Sequence, residues 1–516
     1  MPSELKQLVF SGLPPQQIQW EFQQRRQLIE SLAEPEIDSL LQEIPAAGAP
    51  EGAEKDFFDA VQVLVLELIA KESGGKSAGG TQWSDSRFES VGQIYKISPA
   101  DANLRNHLLF WLFSAGEKGQ RMWADLITSQ PPEHRLGLSV AFSLLIQPAY
   151  SPPDWLVDAL MQKGTAHLQL APSIFDTFNY WYREGQLPTH PAAERVQPML
   201  SLLAQLVGQL GKIEEGNMPA DATPVSINLM ITDSVSLVVS LCHMFGLMED
   251  QQAVPKLHQA LALKHRRIQT EAAAALAKLG DETGKDALLQ LAEQPVARLR
   301  VLNYAEELGI LNEVSLEWQG EIATAESHLA IWLADPANVG FAPADIQLLD
   351  SREMVWPSYD DPVNCYLFEY KYGLTENAPG NVGICGPLVH AMPADLRGIE
   401  VDDMYAAFAG WQTVHQEIFQ TTLDQAKQAA AGPIGDLEQR LPTDWDAEKQ
   451  SIFAGSFFGE WMLVVSGENA DQQQGTLILD ASDEIWIPAG NENAPVDAEA
   501  AWCIVKGRKL LQHFNG

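Results

Sequence analysis

The feature that most limits what this chain can fold into is the unbroken run of helical periodicity in its first three-fifths. From residue 5 to about residue 311, apolar side chains recur every three or four positions, in blocks punctuated by Pro, Gly and Asp. The two-residue alternation of a half-buried strand is almost absent there. Representative blocks are 104–115, 135–146, 155–161, 196–210 and 235–248, and Pro131-Pro132, Pro152-Pro153 and Pro191 precede several of them. An apolar block at 57–69 lies between two small-residue stretches, near 45–52 and 73–83, which are expected to be mobile loops. Helices with one apolar face each must cover one another, so residues 1–320 are expected to be an all-α, solenoid-like domain.

One stretch is more specific. Over residues 254–311 a short helix, a basic corner, an Ala-rich helix and a Leu-Gly ending recur: the pairs Leu279-Gly280 and Leu308-Gly309 lie 29 residues apart, Arg267 and Arg298 lie 31 apart. The alanines at 272–275 let two helices approach closely, Gly280 supplies a left-handed helix end, and Asp281 can cap the helix that follows. These residues resemble the HEAT-like repeats of the bilin-lyase-like group, whose units open the second helix with Arg, pack it through Ala and close on Leu-Gly-Asp. The second unit departs from the pattern, with Asn303 and Tyr304 at small-residue positions and no Asp after Gly309. The resemblance spans 58 of the 516 residues and implies a helical-repeat fold with a protein-binding role; it implies no lyase activity.

After about residue 321 the pattern changes. Residues 362–373 alternate strictly, with Tyr366, Phe368, Tyr370 and Tyr372 on one face and Cys365, Leu367, Glu369 and Lys371 on the other, which predicts a strand. Neighbouring strands are expected at 345–355 and 381–392, and a helix over 401–430 should cover the sheet they form. Further strands are expected at 460–465, 476–479, 485–487 and 501–506. The expected organisation is therefore mainly α: a helical-repeat domain over 1–320, an α+β domain with antiparallel strands over 321–435, and a strand-rich segment over 436–516 belonging to the same domain or forming its own.

Charge narrows the function classes. With 33 Lys and Arg against 69 Asp and Glu, the net charge is −36, which repels phosphate backbones and anionic lipid, so no nucleic-acid or membrane partner is expected. Residues 331–516 hold 28 acids against 9 bases, making this part about twice as acidic per residue as the first 330; an electrostatic partner of the α+β part should be basic. The apolar stretch 235–248 is shorter than the roughly 20 residues a membrane span needs and reads as a buried helix. The amino terminus lacks a secretory pattern, and the four cysteines form no CxxC pair, so a cytoplasmic protein with reduced thiols is expected.

Few residues invite chemistry. Gly75-Lys76-Ser77 ends like a phosphate loop, but Ala70 occupies the place of its first glycine and no strand precedes it. Cys385 and His390, with Cys365 on the adjacent strand, are the candidates for a nucleophile–base pair or a partial metal site. His415 falls on the apolar stripe of the predicted 401–430 helix, where a core role is the simpler reading. Asp402-Asp403 suits a helix start, Asp360-Asp361 lacks calcium-loop spacing, and residues 455–459 lack the elbow spacing of a nucleophilic serine. Arg266, Arg267 and Arg298 are the candidate partner contacts, although an Arg at such a corner also bonds helix-end carbonyls or acids of the next unit. Eight of 14 tryptophans follow residue 317, as core filling for a small α+β region or as anchors for a partner. The expected function is a non-catalytic protein–protein scaffold without cofactor or metal; the alternative is an enzyme or small-ligand binder with a pocket in 362–411. A frame for homo-oligomerisation is the third possibility.

Overall fold

The computed structural model describes residues 2–49, 52, 54–74, 83–100, 103–129, 141–148, 150–217, 223–373, 375, 378–441, 451–468, 473–488 and 498–516. The chain divides into two compact units, 1–286 and 287–516. Helices continue to Ala334 and the first strand begins at Asp345, so the change of character expected near 321 and the division between units do not coincide.

Among the described residues the first unit is helical throughout, as its periodicity dictates. Of the two expected loops, 45–47 form the last turn of helix Glu34–Ala47, and Gly48, at φ +67°, ends it. Helix Glu54–Gly74 extends the apolar block at both ends; residues 75–82, and with them the Gly75-Lys76-Ser77 triplet, lie outside the described residues, as does the first half of the expected 135–146 helix.

The apolar stretch expected at 235–248 is part of a 25-residue helix, Pro224–Met248, started by Thr223, whose hydroxyl accepts the Ser226 N–H. The earlier start, set by the Thr-Pro cap, removes the length argument against a membrane span: residues 225–248 are long and apolar enough to cross a bilayer by length and composition. Within the protein its second half is core, with Val238, Leu241, Cys242, Met244 and Phe245 buried, while Val225 and Leu229 near its start are exposed. This helix packs on helix Arg266–Lys278 at the place the alanines mark. A side chain at Gly246 would meet the Ala275 backbone and Cβ at 3.0–3.1 Å, so small residues on both partners set the spacing.

The repeat endings fold as the sequence dictates. Gly280 and Gly309 adopt φ +77° and +71°, and Asp281 Oδ1 accepts the Gly284 N–H at 2.8 Å while its Oδ2 lies 3.0 Å from His258 Nε2. The Gly284 N–H holds the Asp281 carboxyl below the usual carboxylate range.

The second unit stacks helices and two antiparallel sheets in alternating layers. Its first sheet has the order β1 (Asp345–Val355), β2 (Pro362–Lys371), β3 (Gly380–Cys385), β4 (His390–Ala391); its second runs β5 (Ile418–Thr422), β6 (Ser451–Phe457), β7 (Glu460–Glu468), β8 (Gln474–Leu479), β9 (Glu484–Pro488). The period-two reading of β2 holds: Tyr366, Phe368 and Tyr370 pack with helix Glu321–Ala334, and Cys365 and Leu367 face the opposite core. That core contains helices Val401–Gln412 and Ala498–Asn515, which also receive Met462, Val464 and Ile478 of the second sheet. Leu463, Val465 and Leu477, pointing the other way, are covered by helices Leu423–Ala429 and Ala431–Gln439.

Two expectations fail here. The helix expected over 401–430 stops at Gln412; Ile418–Thr422 joins the second sheet as an edge strand, because its β-branched and aromatic residues gain a partner in β6, and the Thr422 hydroxyl caps the next helix. This pairing also ties residues on either side of the expected 435/436 boundary into one sheet. The strand expected at 501–506 is instead part of helix Ala498–Asn515. It is buried on every side from Ala500 to Lys506, so its sequence shows a continuous apolar run rather than a helical stripe.

The two central helices cross antiparallel at a reciprocal contact. A Cβ on Gly410 would sit 1.9 Å from the Cys503 carbonyl oxygen, and one on Gly507 would sit 1.7 Å from that of Ala406. Glycine is required at both positions, each of which stands four residues after the carbonyl that the other approaches. Lys506 Nζ donates to the Thr413 carbonyl at 3.0 Å, placing a cation at the end of helix Val401–Gln412.

Candidate functional site

The basic corner separates into a buried and an exposed part. Arg298, expected with Arg266 and Arg267 as a partner contact, is fully buried. Its Nε donates to the Ala292 carbonyl at 2.8 Å and its Nη1 to the Ala323 carbonyl at 2.8 Å and Glu326 Oε2 at 2.6 Å, beneath the Trp318 ring. Its fork satisfies helix-end carbonyls that burial would otherwise orphan. The same device recurs upstream. Arg105 donates twice to the Ser98 carbonyl, and Arg87, fully buried, donates to Asp38 at 2.6 Å, Glu72 at 2.9 Å and the Glu34 carbonyl at 3.1 Å. Lys264, Arg266 and Arg267 are exposed, and Arg266 donates only to Gln269 among the described residues. Among these arginines, Arg266 and Arg267 alone remain free to meet another molecule.

Cys365, Cys385 and His390 do not converge on a reactive centre. Cys365 faces the central helices and Cys385 faces helix Glu321–Ala334, on opposite sides of the sheet. Burial pushes their thiols up to about 12 and about 11, away from the thiolate a nucleophile needs. His390, on the two-residue edge strand β4, stacks on Trp411 with ring centroids 3.7 Å apart and meets the edge of Trp332 at 5.3 Å. Burial lowers its pKa, and its Nε2 has no hydrogen-bond partner. The ring plugs the open edge of the first sheet. Among the described residues no group of three or more His, Cys, Asp and Glu side chains is arranged to hold a metal ion. Asp402 and Asp403 are used in ion pairs with Arg352 and Arg508.

A concavity lies at one end of the second sheet, where the β6–β7 turn, the β8–β9 turn and the start of β5 meet the last turns of helix Ala498–Asn515. It encloses about 970 Å³. The β6–β7 turn consists of Phe458 and Gly459, at φ +48° and +85°; two left-handed residues match the twist of a two-residue hairpin. Phe458 is 57% exposed, its N–H donates to the Glu417 carbonyl at 2.8 Å, and its ring lies 5.3 Å from those of Phe457 and His415. His415 is thus a turn residue at the rim rather than a core residue, because the helix expected to carry it ends before it.

The floor is charged. Lys509 Nζ lies 2.6 Å from Glu460 Oε2, 3.6 Å from Asp480 Oδ2 and 5.7 Å from the Phe457 ring centroid. Arg508 is held by both oxygens of Asp403 at 2.6 Å. Asp480 organises the β8–β9 turn: its Oδ1 accepts the Ser482 and Asp483 N–H groups at 2.9 and 2.6 Å. Burial pushes its carboxyl up, but these N–H groups outweigh that and hold it below the usual range. The arrangement offers aromatic rings beside carboxylates. The sequence signal for it is Gly459, a turn residue between two apolar-rich runs.

Residues 234–308 match the family of HEAT repeats. No curated protein and no solved structure matches the chain.

Proposed function

We propose that the protein is a non-catalytic adaptor whose HEAT-like repeats hold a protein partner through the exposed corner Lys264, Arg266 and Arg267. The observation that carries this reading is the match over residues 234–308, since HEAT repeats commonly mediate protein interactions, together with the exposure of that corner where other arginines of the same kind are consumed internally. A net charge of −36 favours a protein over a nucleic acid. Four buried cysteines, none of them in a disulfide, support a reducing, cytoplasmic setting.

The test is quantitative co-purification of the full chain and its Arg266→Glu/Arg267→Glu variant from native lysate, followed by sizing of the complex. A partner present in stoichiometric amount should be lost on charge reversal, while stability changes by no more than about 0.5 kcal/mol, as for exposed surface positions. Arg298→Ala is the structural control, with an expected loss of about 3–5 kcal/mol from uncompensated buried groups. Partner retention by the double variant would overturn the reading.

A further inference from the structure

We propose that the groove at the end of the second sheet docks a short basic peptide segment of a partner protein, which sets an apolar side chain among Phe457, Phe458 and Phe514 and a cationic one against Asp483 and Glu460. This site is independent of the repeat corner and goes beyond the adaptor reading.

Charge complementarity carries the argument. Both cations lining the groove are consumed internally, Arg508 by Asp403 and Lys509 by Glu460 and Asp480. Asp483 is exposed and its carboxylate makes no ion pair among the described residues. The groove therefore presents net negative charge, within a part of the chain that holds 28 acids against 9 bases. Lys509 shows what the site attracts, since it places an ammonium between two carboxylates and within reach of an aromatic face. Phe458 points to the apolar half of the ligand. A bulky residue at φ +48° is strained where glycine is not, and a ring 57% exposed is not held there by core packing. A volume of about 970 Å³ accommodates several residues rather than one side chain.

The test is fluorescence anisotropy of the full chain with a labelled peptide carrying two arginines around a phenylalanine in a glycine–serine background. Micromolar binding is expected, and weakening by about tenfold, the size of one anchor contact, when the arginines become aspartates or the phenylalanine becomes alanine. Binding should also fall at about 0.5 M NaCl, where exposed charges are screened. Phe458→Gly keeps the turn geometry and should weaken binding by about tenfold in a protein that still unfolds cooperatively near the wild-type midpoint. Lys509→Met, which releases Glu460 and Asp480 to the ligand, should tighten it. Equal binding of the aspartate peptide, unchanged affinity in Phe458→Gly, or weaker binding by a folded Lys509→Met protein would each overturn the proposal. So would competition by arginine amide as effective as by unlabelled peptide, which would make the groove a small-cation site.

Discussion

The two halves of the second unit share a plan and differ in how they are closed. Each runs an antiparallel sheet and then a helix, and the two helices meet at equivalent glycines, Gly410 resting on the Cys503 carbonyl and Gly507 on that of Ala406. In the first half His390 fills the sheet edge between Trp332 and Trp411. In the second, the corresponding sheet end is left open between two turns and the final helix. The shared helix crossing fixes the framework, and the turns are then free to differ, which is why one half is plugged and the other grooved.

The crossing is where the equivalence breaks most readily. Gly410→Ala and Gly507→Ala are each expected to cost about 3 kcal/mol or more, because a methyl group would have to displace a backbone carbonyl rather than a side chain. Chemical unfolding followed by tryptophan fluorescence measures both. If one glycine is replaced at little cost while the other is not, the reciprocal contact does not hold the halves together.

The plug comes next in size. His390→Ala should cost about 1.5 kcal/mol through the lost stacking on Trp411, against about 0.5 kcal/mol or less for His415→Ala at the exposed rim. Acid sharpens the contrast. Burial lowers the pKa of His390 below its ordinary 6.5 in the folded chain, so above that pH it contributes no pH dependence. As pH falls below it the unfolded chain takes the proton first, and stability drops by up to about 1.4 kcal/mol per pH unit until the folded pKa is reached. His390→Gln should flatten that part of the profile relative to the wild type; an unchanged slope would show that the ring is not sealed.

What was legible in the sequence follows the same division between framework and closure. Strand β2 was readable because its two faces pack against different partners, so polarity and size alternate from Tyr366 to Tyr370. Gly280, Asp281 and the alanines at 272–275 were readable because each meets a local backbone need. Helix Ala498–Asn515 was not, because a helix enclosed by two sheets and another helix has no polar stripe to reveal its period. The groove was hidden for another reason: Ile418, Phe458, Asp483 and Lys509 come from separate segments, and only the closing of the second sheet brings them together.

The smallest expected effect has the most unusual sign. Phe458 occupies a left-handed conformation next to Gly459, and its half-exposed ring gains little from burial. Replacing it with glycine removes that steric penalty while giving the unfolded chain more freedom, two opposing terms of about 1 kcal/mol each. The loss of ring contacts with Phe457 and His415 is the third term and is limited by exposure. Stability in Phe458→Gly should therefore stay within about 1 kcal/mol of the wild type and can rise, as thermal unfolding would show. A clear fall would mean that the ring is held for packing, and the open half would then be as much a closed core as the half sealed by His390.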